Sequence, residues 1–199
     1  MIKYAVAILL SSFVGVSAAN ATAITYTDTV TASGTIGTTS FSNQTVTVSF
    51  VGDTTNVTGS SGFYTNTVGN GFITIGAGST IKFTDSMFFF DNQSYKGTGV
   101  AGIADTNKGA SELDTFSDLF KTYTGTSAIG PVTGAWFFIL GSSYGTESGA
   151  LSFTSVSEGS TFTATTSSAA PTPEPTSLVL LGTGVVGLAG SMRRRYFRA

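Results

Sequence analysis

The feature that most constrains this chain is an uncharged apolar segment near its C-terminus. Residues Thr176–Met192 contain no Asp, Glu, Lys or Arg and are rich in Leu, Val and Gly. A helix of 17 residues is roughly 25 Å long, which is within the usable range for the ~30 Å hydrocarbon core of a bilayer. Arg193, Arg194 and Arg195 follow at once, and such clusters stay on the cytoplasmic side. The sequence therefore predicts a transmembrane helix over Thr176–Met192, a basic tail over 193–199, and a preceding chain that faces outward.

A proline-rich motif, Pro171–Pro175, lies directly before this segment. The order of Pro-Glu-Pro, a Gly- and Leu-rich span and a terminal Arg cluster resembles the PEP-CTERM sorting signal of Gram-negative, often exopolysaccharide-producing bacteria. The resemblance implies that a membrane-embedded cysteine transpeptidase, the exosortase, recognises Pro173, Glu174 and Pro175 and processes the chain there. Without the resemblance, the apolar segment would be interpreted as a C-terminal membrane anchor and the proline-rich motif as a stiff spacer. The Pro-Glu-Pro tripeptide is the feature that favours a sorting signal over a simple anchor.

The N-terminus has the pattern of an export signal. Lys3 supplies the positive start, Ala5–Val16 is mostly apolar, and Ala19-Asn20-Ala21 is an A-x-A-like cleavage site. We expect cleavage after Ala21, although cleavage after Ala19 or Ala23 fits nearly as well. The export machinery is therefore a predicted partner. The predicted organisation is a signal peptide with a signal helix (1–21), an extracytoplasmic domain (22–168) and a sorting segment (169–199).

Composition excludes several classes of function for the middle of the chain. Cysteine and histidine are absent, so disulfides, thiolate and imidazole metal sites, and Ser-His-Asp or Cys-His catalysis are excluded. Between the two terminal segments there are four lysines and ten acidic residues. A surface with this excess of negative charge repels phosphate backbones, so we expect no nucleic-acid partner. No cofactor is predicted.

The pattern of residue types in the middle segment is typical of β-strands. Gln44–Phe50 alternates Gln, Val, Val and Phe with Thr and Ser, and period two with β-branched and aromatic residues is typical of strands. Phe88–Phe90 and Ala135–Leu140 are solid apolar runs, which fit strands covered on both faces. Ala150–Val156 and Ser160–Thr166 are interpreted as a closing hairpin. We predict an all-β fold, an antiparallel, jelly-roll-like β-sandwich of about eight strands.

One stretch departs from this alternation. Ser111 opens it like a capping box, and Leu113, Phe116 and Phe120 follow at helical spacing. The spacing predicts one short helix, Glu112–Tyr123, across an open end of the sandwich.

A short loop spaces its side-chain oxygens like the start of a calcium site. Asp105 and Asn107 supply the oxygens, and Asp91 lies in the same linker. The loop has no downstream bidentate acid, and Lys108 would repel a cation. An Asx-type turn is therefore the favoured interpretation, and Asp105 and Asn107 are only weak metal candidates.

Acidic residues are the remaining candidates for catalysis, as a carboxylate pair. Nothing in the sequence brings two together except Asp114 and Asp118, which would be solvated neighbours on the predicted helix. The five candidates are Glu112, Asp114, Asp118, Glu147 and Glu158.

These observations predict an exported, non-enzymatic surface or matrix protein, associated with exopolysaccharide or biofilm. The alternative is a specific carbohydrate-binding or calcium-dependent adhesion module, in which exposed Tyr64, Tyr95 and Tyr144 would stack on sugar rings. A third and weaker hypothesis is a carboxylate-based polysaccharide hydrolase.

Overall fold

The structure is a computed structural model that describes residues 22–108, 111–137 and 142–168. All thirteen strands in the described residues are antiparallel to their neighbours. They are β1 (Thr22–Ile36), β2 (Thr39–Asp53), β3 (Val57–Ser60), β4 (Phe63–Asn66), β5 (Gly69–Ile75), β6 (Ile81–Lys82), β7 (Met87–Asn92), β8 (Gly99–Asp105), β9 (Ser111–Ser117), β10 (Ile129–Phe137), β11 (Ser143–Thr146), β12 (Gly149–Val156) and β13 (Ser160–Ser168). Three short 3₁₀ helices join them: Thr54–Asn56, Tyr95–Gly97 and Asp118–Thr122.

Strand β1 is the central element of the fold. Its residues alternate between buried and half-buried along almost the whole strand, and Ile24 and Tyr26 are fully buried. β2 pairs with β1 along nearly its full length, after a tight turn at Gly37, whose φ is +56°. That value lies in the left-handed region, where glycine is favoured. Because both edges of β1 are paired, it lies inside the sheet.

The second edge of β1 is shared by two strands placed end to end. β13 pairs with residues 22–29 of β1 and β12 pairs with residues 32–36. Ser157 lies between them and donates its backbone N–H to the carbonyl of Thr31 at 2.8 Å. The predicted hairpin between the two strands is therefore wrong, although both strands exist. A 15-residue β1 is long enough to pair with both in succession.

Strand β10 folds the sheet into two layers. Ile129–Gly134 pairs with β13, whereas Ala135–Phe137 pairs with β9. At the change of partner a Cβ on Gly134 would collide with the carbonyl oxygen of Phe116, so only glycine fits there. The strand order is β3-β4-β7-β8-β9-β10-β13-β1-β2-β5-β6, with β12 on β1 and β11 on β12. The buried apolar core includes residues from both halves of this path, so the fold is β-sandwich-like, as the sequence predicted.

The predicted count of about eight strands is wrong, because the described residues form thirteen. Among the strands beyond these eight are the four-residue strands β3 and β4, which pair as a hairpin. Such short strands hold too few residues for alternation to show. The continuous strand path also differs from the two four-stranded sheets of a jelly roll.

The predicted helix Glu112–Tyr123 is wrong over most of its length. Its first half is strand β9, bonded to β8 on one edge and to β10 on the other. Residues i and i+3 of a strand lie on opposite faces. Leu113 accordingly packs in the central core, while Phe116 packs in a second apolar cluster with Phe90 and Val100. A strand with apolar residues on both faces therefore has the same three-residue spacing as an amphipathic helix. Within the predicted helix, only Asp118–Thr122 is helical, as a 3₁₀ helix.

Several sequence predictions lie outside the described residues. These are the signal helix in 1–21, the transmembrane helix Thr176–Met192 and the apolar residues 138–140 that follow β10. Among the residues that the structure describes, no helix is long and apolar enough to cross a membrane.

Candidate functional sites

The loop with calcium-like spacing is occupied by a lysine of the chain itself. The Lys108 ammonium lies 2.8 Å from Asp85 Oδ2 and 3.0 Å from Asp105 Oδ2, and it donates to the carbonyl of Ser143 at 2.6 Å. Asn107 donates its backbone N–H to Asp105 Oδ1 at 2.7 Å, which is the Asx turn that the sequence favoured. No group of three acidic residues that could hold a metal lies in the described residues. The ammonium takes the place a divalent cation would need.

Local contacts keep this cluster charged. Partial burial acts to raise the pKa of Asp85, but hydrogen bonds from Lys108 and from the Gly145 N–H outweigh it, and the pKa is lowered. Partial burial acts in the opposite sense on Lys108, and the two carboxylates still raise its pKa. The Lys108 ammonium also lies 4.4 Å from the centre of the Tyr144 ring. In this cluster one ammonium group lies between two carboxylates of the same chain.

Replacing Lys108 by Met is expected to lower the free energy of unfolding by about 1–2 kcal/mol, because Asp105 is almost fully buried and loses its charged partner. The control is Lys121→Met, which breaks the solvent-exposed pair between Lys121 and Asp118 and should cause no measurable change. Urea denaturation of both variants measures the difference. Millimolar calcium should leave the wild-type curve unchanged, and equal losses in the two variants would contradict this role of Lys108.

The acidic residues predicted as catalytic candidates do not form a pair among the described side chains. Glu147 and Glu158 are exposed, and Asp118 is exposed and paired with Lys121 at 2.7 Å. The side chain of Glu112 lies outside the described part. Asp114 is buried on β9 and adjoins Asp28 of β1, a residue that was not among the candidates. The predicted neighbours Asp114 and Asp118 are separated because their segment is not one helix.

Asp28 begins a buried chain of polar contacts between the two layers. Its carboxyl lies 3.1 Å from the Thr115 hydroxyl, which lies 2.6 Å from the Ser160 hydroxyl. The Ser160 hydroxyl lies 3.1 Å from the carbonyl oxygen of Asp114. The Thr115 hydroxyl donates to the Asp28 carboxyl, and the Ser160 hydroxyl donates to the carbonyl of Asp114. Burial, aided by the charge of Asp114, raises the pKa of Asp28 well above its ordinary value, although the hydrogen bond from Thr115 acts to lower it.

Asp91 is a second buried acid that was considered only as part of a calcium linker. It is fully buried on β7, and neither carboxyl oxygen has a hydrogen-bond partner among the described residues. Burial raises the pKa of Asp91 to about 8. The burial of both acids could have been predicted from the period of two along each strand. Asp91 lies two residues from the buried Phe89, and Asp28 lies two residues from the buried Tyr26, so each acid shares the inward face of its strand.

The three tyrosines do not form an exposed sugar platform. Tyr144 is fully buried on β11, which contradicts its predicted exposure. Tyr95 is half-buried, with its ring centre 5.6 Å from that of Phe116. Tyr64 is half-buried on β4.

The N-terminal end of β1 and the C-terminal end of β13 lie side by side. Thr22, which follows the predicted cleavage site after Ala21, is the register partner of Ser168. Ser168 precedes Pro171, the first residue of the proline-rich motif, by three positions. The sorting residues Pro173, Glu174 and Pro175, together with Arg193, Arg194 and Arg195 and the leader residues Ala19 and Ala21, lie outside the described residues.

Comparison with protein families identifies the segment that follows β13. Residues 171–195 match the family described as the PEP-CTERM protein-sorting motif. The chain carries a PEP-CTERM sorting signal. The predicted resemblance is thereby confirmed for these residues. No curated protein and no solved structure matches the chain.

The PEP-CTERM signal indicates an exported, membrane-anchored precursor that an exosortase-type transpeptidase processes to the cell surface. It covers 25 residues of 199. The match therefore concerns where the protein goes, and the role of the β domain must be argued from the domain itself.

Proposed function

We propose that this is a non-enzymatic, exported protein of the cell surface or extracellular matrix, and that its β domain associates with exopolysaccharide. The leader delivers the chain to the export machinery, the C-terminal helix holds the precursor in the membrane, and an exosortase-type enzyme acts at Pro173, Glu174 and Pro175. The observation that carries this proposal is the PEP-CTERM match at residues 171–195, directly after the last strand of the domain.

The described acids support a non-catalytic role. Asp28 and Asp91 are fully buried and Asp114 is nearly so, whereas a glycosidase needs two carboxyls that reach one bond of the substrate. Asp105 and Asp85 hold Lys108. The carboxylate hydrolase is for these reasons the weakest of the three hypotheses.

One surface feature favours a carbohydrate-binding module as a second candidate function. The β1–β2 turn lies at the opposite end of β1 from Thr22, roughly 45–50 Å away for a 15-residue strand. Here the domain has a groove of about 320 Å³, lined by uncharged residues: Ile36, Thr39, Phe41, Ile75, Gly78, Ser79, Ile81 and Ser148. Apolar walls with hydroxyl groups suit the faces and edges of a sugar ring. Binding to a glycan array would distinguish this module from a purely structural matrix protein.

Replacing Glu174 by Ala is expected to prevent processing at the C-terminus, because it removes the charged residue of the Pro-Glu-Pro motif. Intact mass of the protein recovered from cells with and without the transpeptidase measures this directly. We expect the wild type to lose its C-terminal segment only in cells that have the enzyme, and the Glu174→Ala chain to keep the segment in both.

Glu158→Ala is the matched control, since Glu158 is an exposed glutamate within the domain. It should be processed like the wild type. A wild-type chain with the same mass and cell fraction in both strains would refute the proposed sorting.

A further inference from the structure

Six strands of the domain form a closed ring that includes the C-terminal part of β1. Each of β1, β2, β5 and β6 pairs with the next, and β11 and β12 lead back to residues 32–36 of β1. Phe83, which directly follows β6, forms a bridge with Thr146 of β11 and so completes the ring. Because each strand is antiparallel to the next, the β1–β2 turn, the β5–β6 loop and the β11–β12 turn all lie at one end. The groove of about 320 Å³ lies among these three connections and is the mouth of the ring.

The wall of the mouth is fixed by hydrogen bonds where β6 meets β11. The Glu147 N–H donates to the carbonyl of Lys82 at 3.0 Å. Ile81 and Ser148, which line the mouth, are the sequence neighbours of these two residues. Further along the same seam, Lys108 bonds to one group that follows β6 and to another in β11. A ligand that enters this mouth therefore does not have to order its walls, which lowers the cost of binding.

The side chains that line the mouth form an apolar set and a hydroxyl set. The apolar set is half-buried and the hydroxyl set is exposed, so hydroxyl groups surround an apolar floor. Ligand sites are commonly concave and apolar with a few polar groups, and such a floor suits the apolar face of a sugar ring. The apolar set is Ile36, Phe41, Ile75 and Ile81, and the hydroxyl set is Thr39, Ser79 and Ser148.

The charge of the domain indicates which saccharides suit the mouth. Among the residues that the structure describes, none that lines it is charged. Between the two terminal segments there are ten acidic residues and four lysines, and Lys108 and Lys121 are already paired with acids. A surface with this excess of negative charge repels carboxylate and sulfate groups. The mouth therefore offers an acidic sugar no basic partner, and an uncharged sugar meets no such repulsion.

We propose that the mouth of the ring binds an uncharged saccharide, and that the domain associates with exopolysaccharide at this place. The inference rests on the proposed association with exopolysaccharide and adds its site and the class of sugar. The volume is near the lower end of the roughly 300–1,000 Å³ that is usual for small-molecule sites. The mouth therefore takes a short piece of the polymer, such as a side branch or a chain end.

The test fills the mouth. Ser148→Trp and Ser79→Trp each place an indole in the groove from a different connection and remove no core side chain. The probe is exopolysaccharide from the native cells, separated by anion exchange into an uncharged and an acidic fraction. Biolayer interferometry with the full chain, immobilised in detergent, measures binding of each fraction. We expect the wild type to bind the uncharged fraction and both variants to lose that binding.

Ser40→Trp is the matched control for the two mouth-filling variants. Ser40 is an exposed serine of β2 that lies between Thr39 and Phe41, which both line the mouth. Successive residues of a strand point to opposite faces, so this indole stays outside the mouth. We expect Ser40→Trp to bind the uncharged fraction like the wild type. Urea denaturation of all three variants should show a folded domain, and either mouth-filling variant that folds is sufficient for the test.

Three results would overturn the proposed site and leave the association with exopolysaccharide open to another surface. The first is a folded mouth-filling variant that binds the uncharged fraction as tightly as the wild type. The second is a wild type that binds only the acidic fraction. The third is a wild-type dimer, detected by light scattering, that Ser148→Trp dissociates, because a second copy of the chain would then fill the mouth. A wild type that binds neither fraction would instead contradict both the site and the proposed association.

Discussion

Replacing Phe89 by Ala is expected to lower the free energy of unfolding by about 3–5 kcal/mol. Phe89 is fully buried on β7, and its ring is stacked on that of Tyr26 with centres 3.7 Å apart. Phe162 of β13 and Tyr123 pack around it, with ring centres 6.1 and 6.2 Å away. These partners come from both layers of the sandwich. The truncation leaves a cavity between layers that their strand ladders hold in place, so the cavity cannot collapse fully.

A total stability of roughly 5–15 kcal/mol is usual for a domain of this kind, so the Phe89→Ala domain should unfold at much lower denaturant. Phe63→Ala is the matched control, since Phe63 is 47% exposed at the start of β4. Surface substitutions of this type change stability by less than about 1 kcal/mol. Urea titrations of the two variants should separate them clearly. Equal losses would mean that Phe89 is not at the centre of the core.

The β-strands of the domain were predictable because residue types alternate with a period of two along the sequence. Gln44–Phe50 alternates in sequence, and the same segment of β2 alternates in burial from Val46 to Phe50. The strand partners were not predictable in the same way. That β12 and β13 share β1, instead of pairing with each other, depends on the length of β1. Alternation within one strand does not report which other strand lies beside it.

The sorting motif could be found from sequence because its recognition depends on a contiguous segment. The buried acids depend on tertiary structure. Asp28 becomes a member of a polar chain only when β9 and β13 bring Thr115 and Ser160 to it. Lys108 reaches Asp85 and the Ser143 carbonyl across 23 and 35 residues of sequence. Such contacts follow from the assembled sheet, and no spacing rule within one segment predicts them.

Replacing Asp91 by Asn is expected to stabilise the domain at neutral and alkaline pH. Burial raises the pKa of Asp91 from an ordinary value of 3.8 to about 8. Between these values the folded state keeps a proton that the unfolded chain has released, so the stability of the wild type falls as pH rises from about 4 to about 8. An amide carries no charge at any of these pH values. The free energy of unfolding of the variant should therefore equal that of the wild type near pH 4 and exceed it by roughly 2–5 kcal/mol at pH 8.

Asp118→Asn is the control for this pH dependence. Asp118 is exposed, and hydrogen bonds from Lys121 and Thr98 lower its pKa, so any contribution from it has the opposite sign and is lost as pH falls. Denaturation curves from pH 4 to pH 9 should show a flatter profile for Asp91→Asn and a nearly unchanged one for Asp118→Asn. The raised pKa of Asp28 leaves some slope in every variant, with the same sign as that of Asp91. A uniform loss of stability in Asp91→Asn at all pH values would show instead that the carboxylate has a partner in the folded domain.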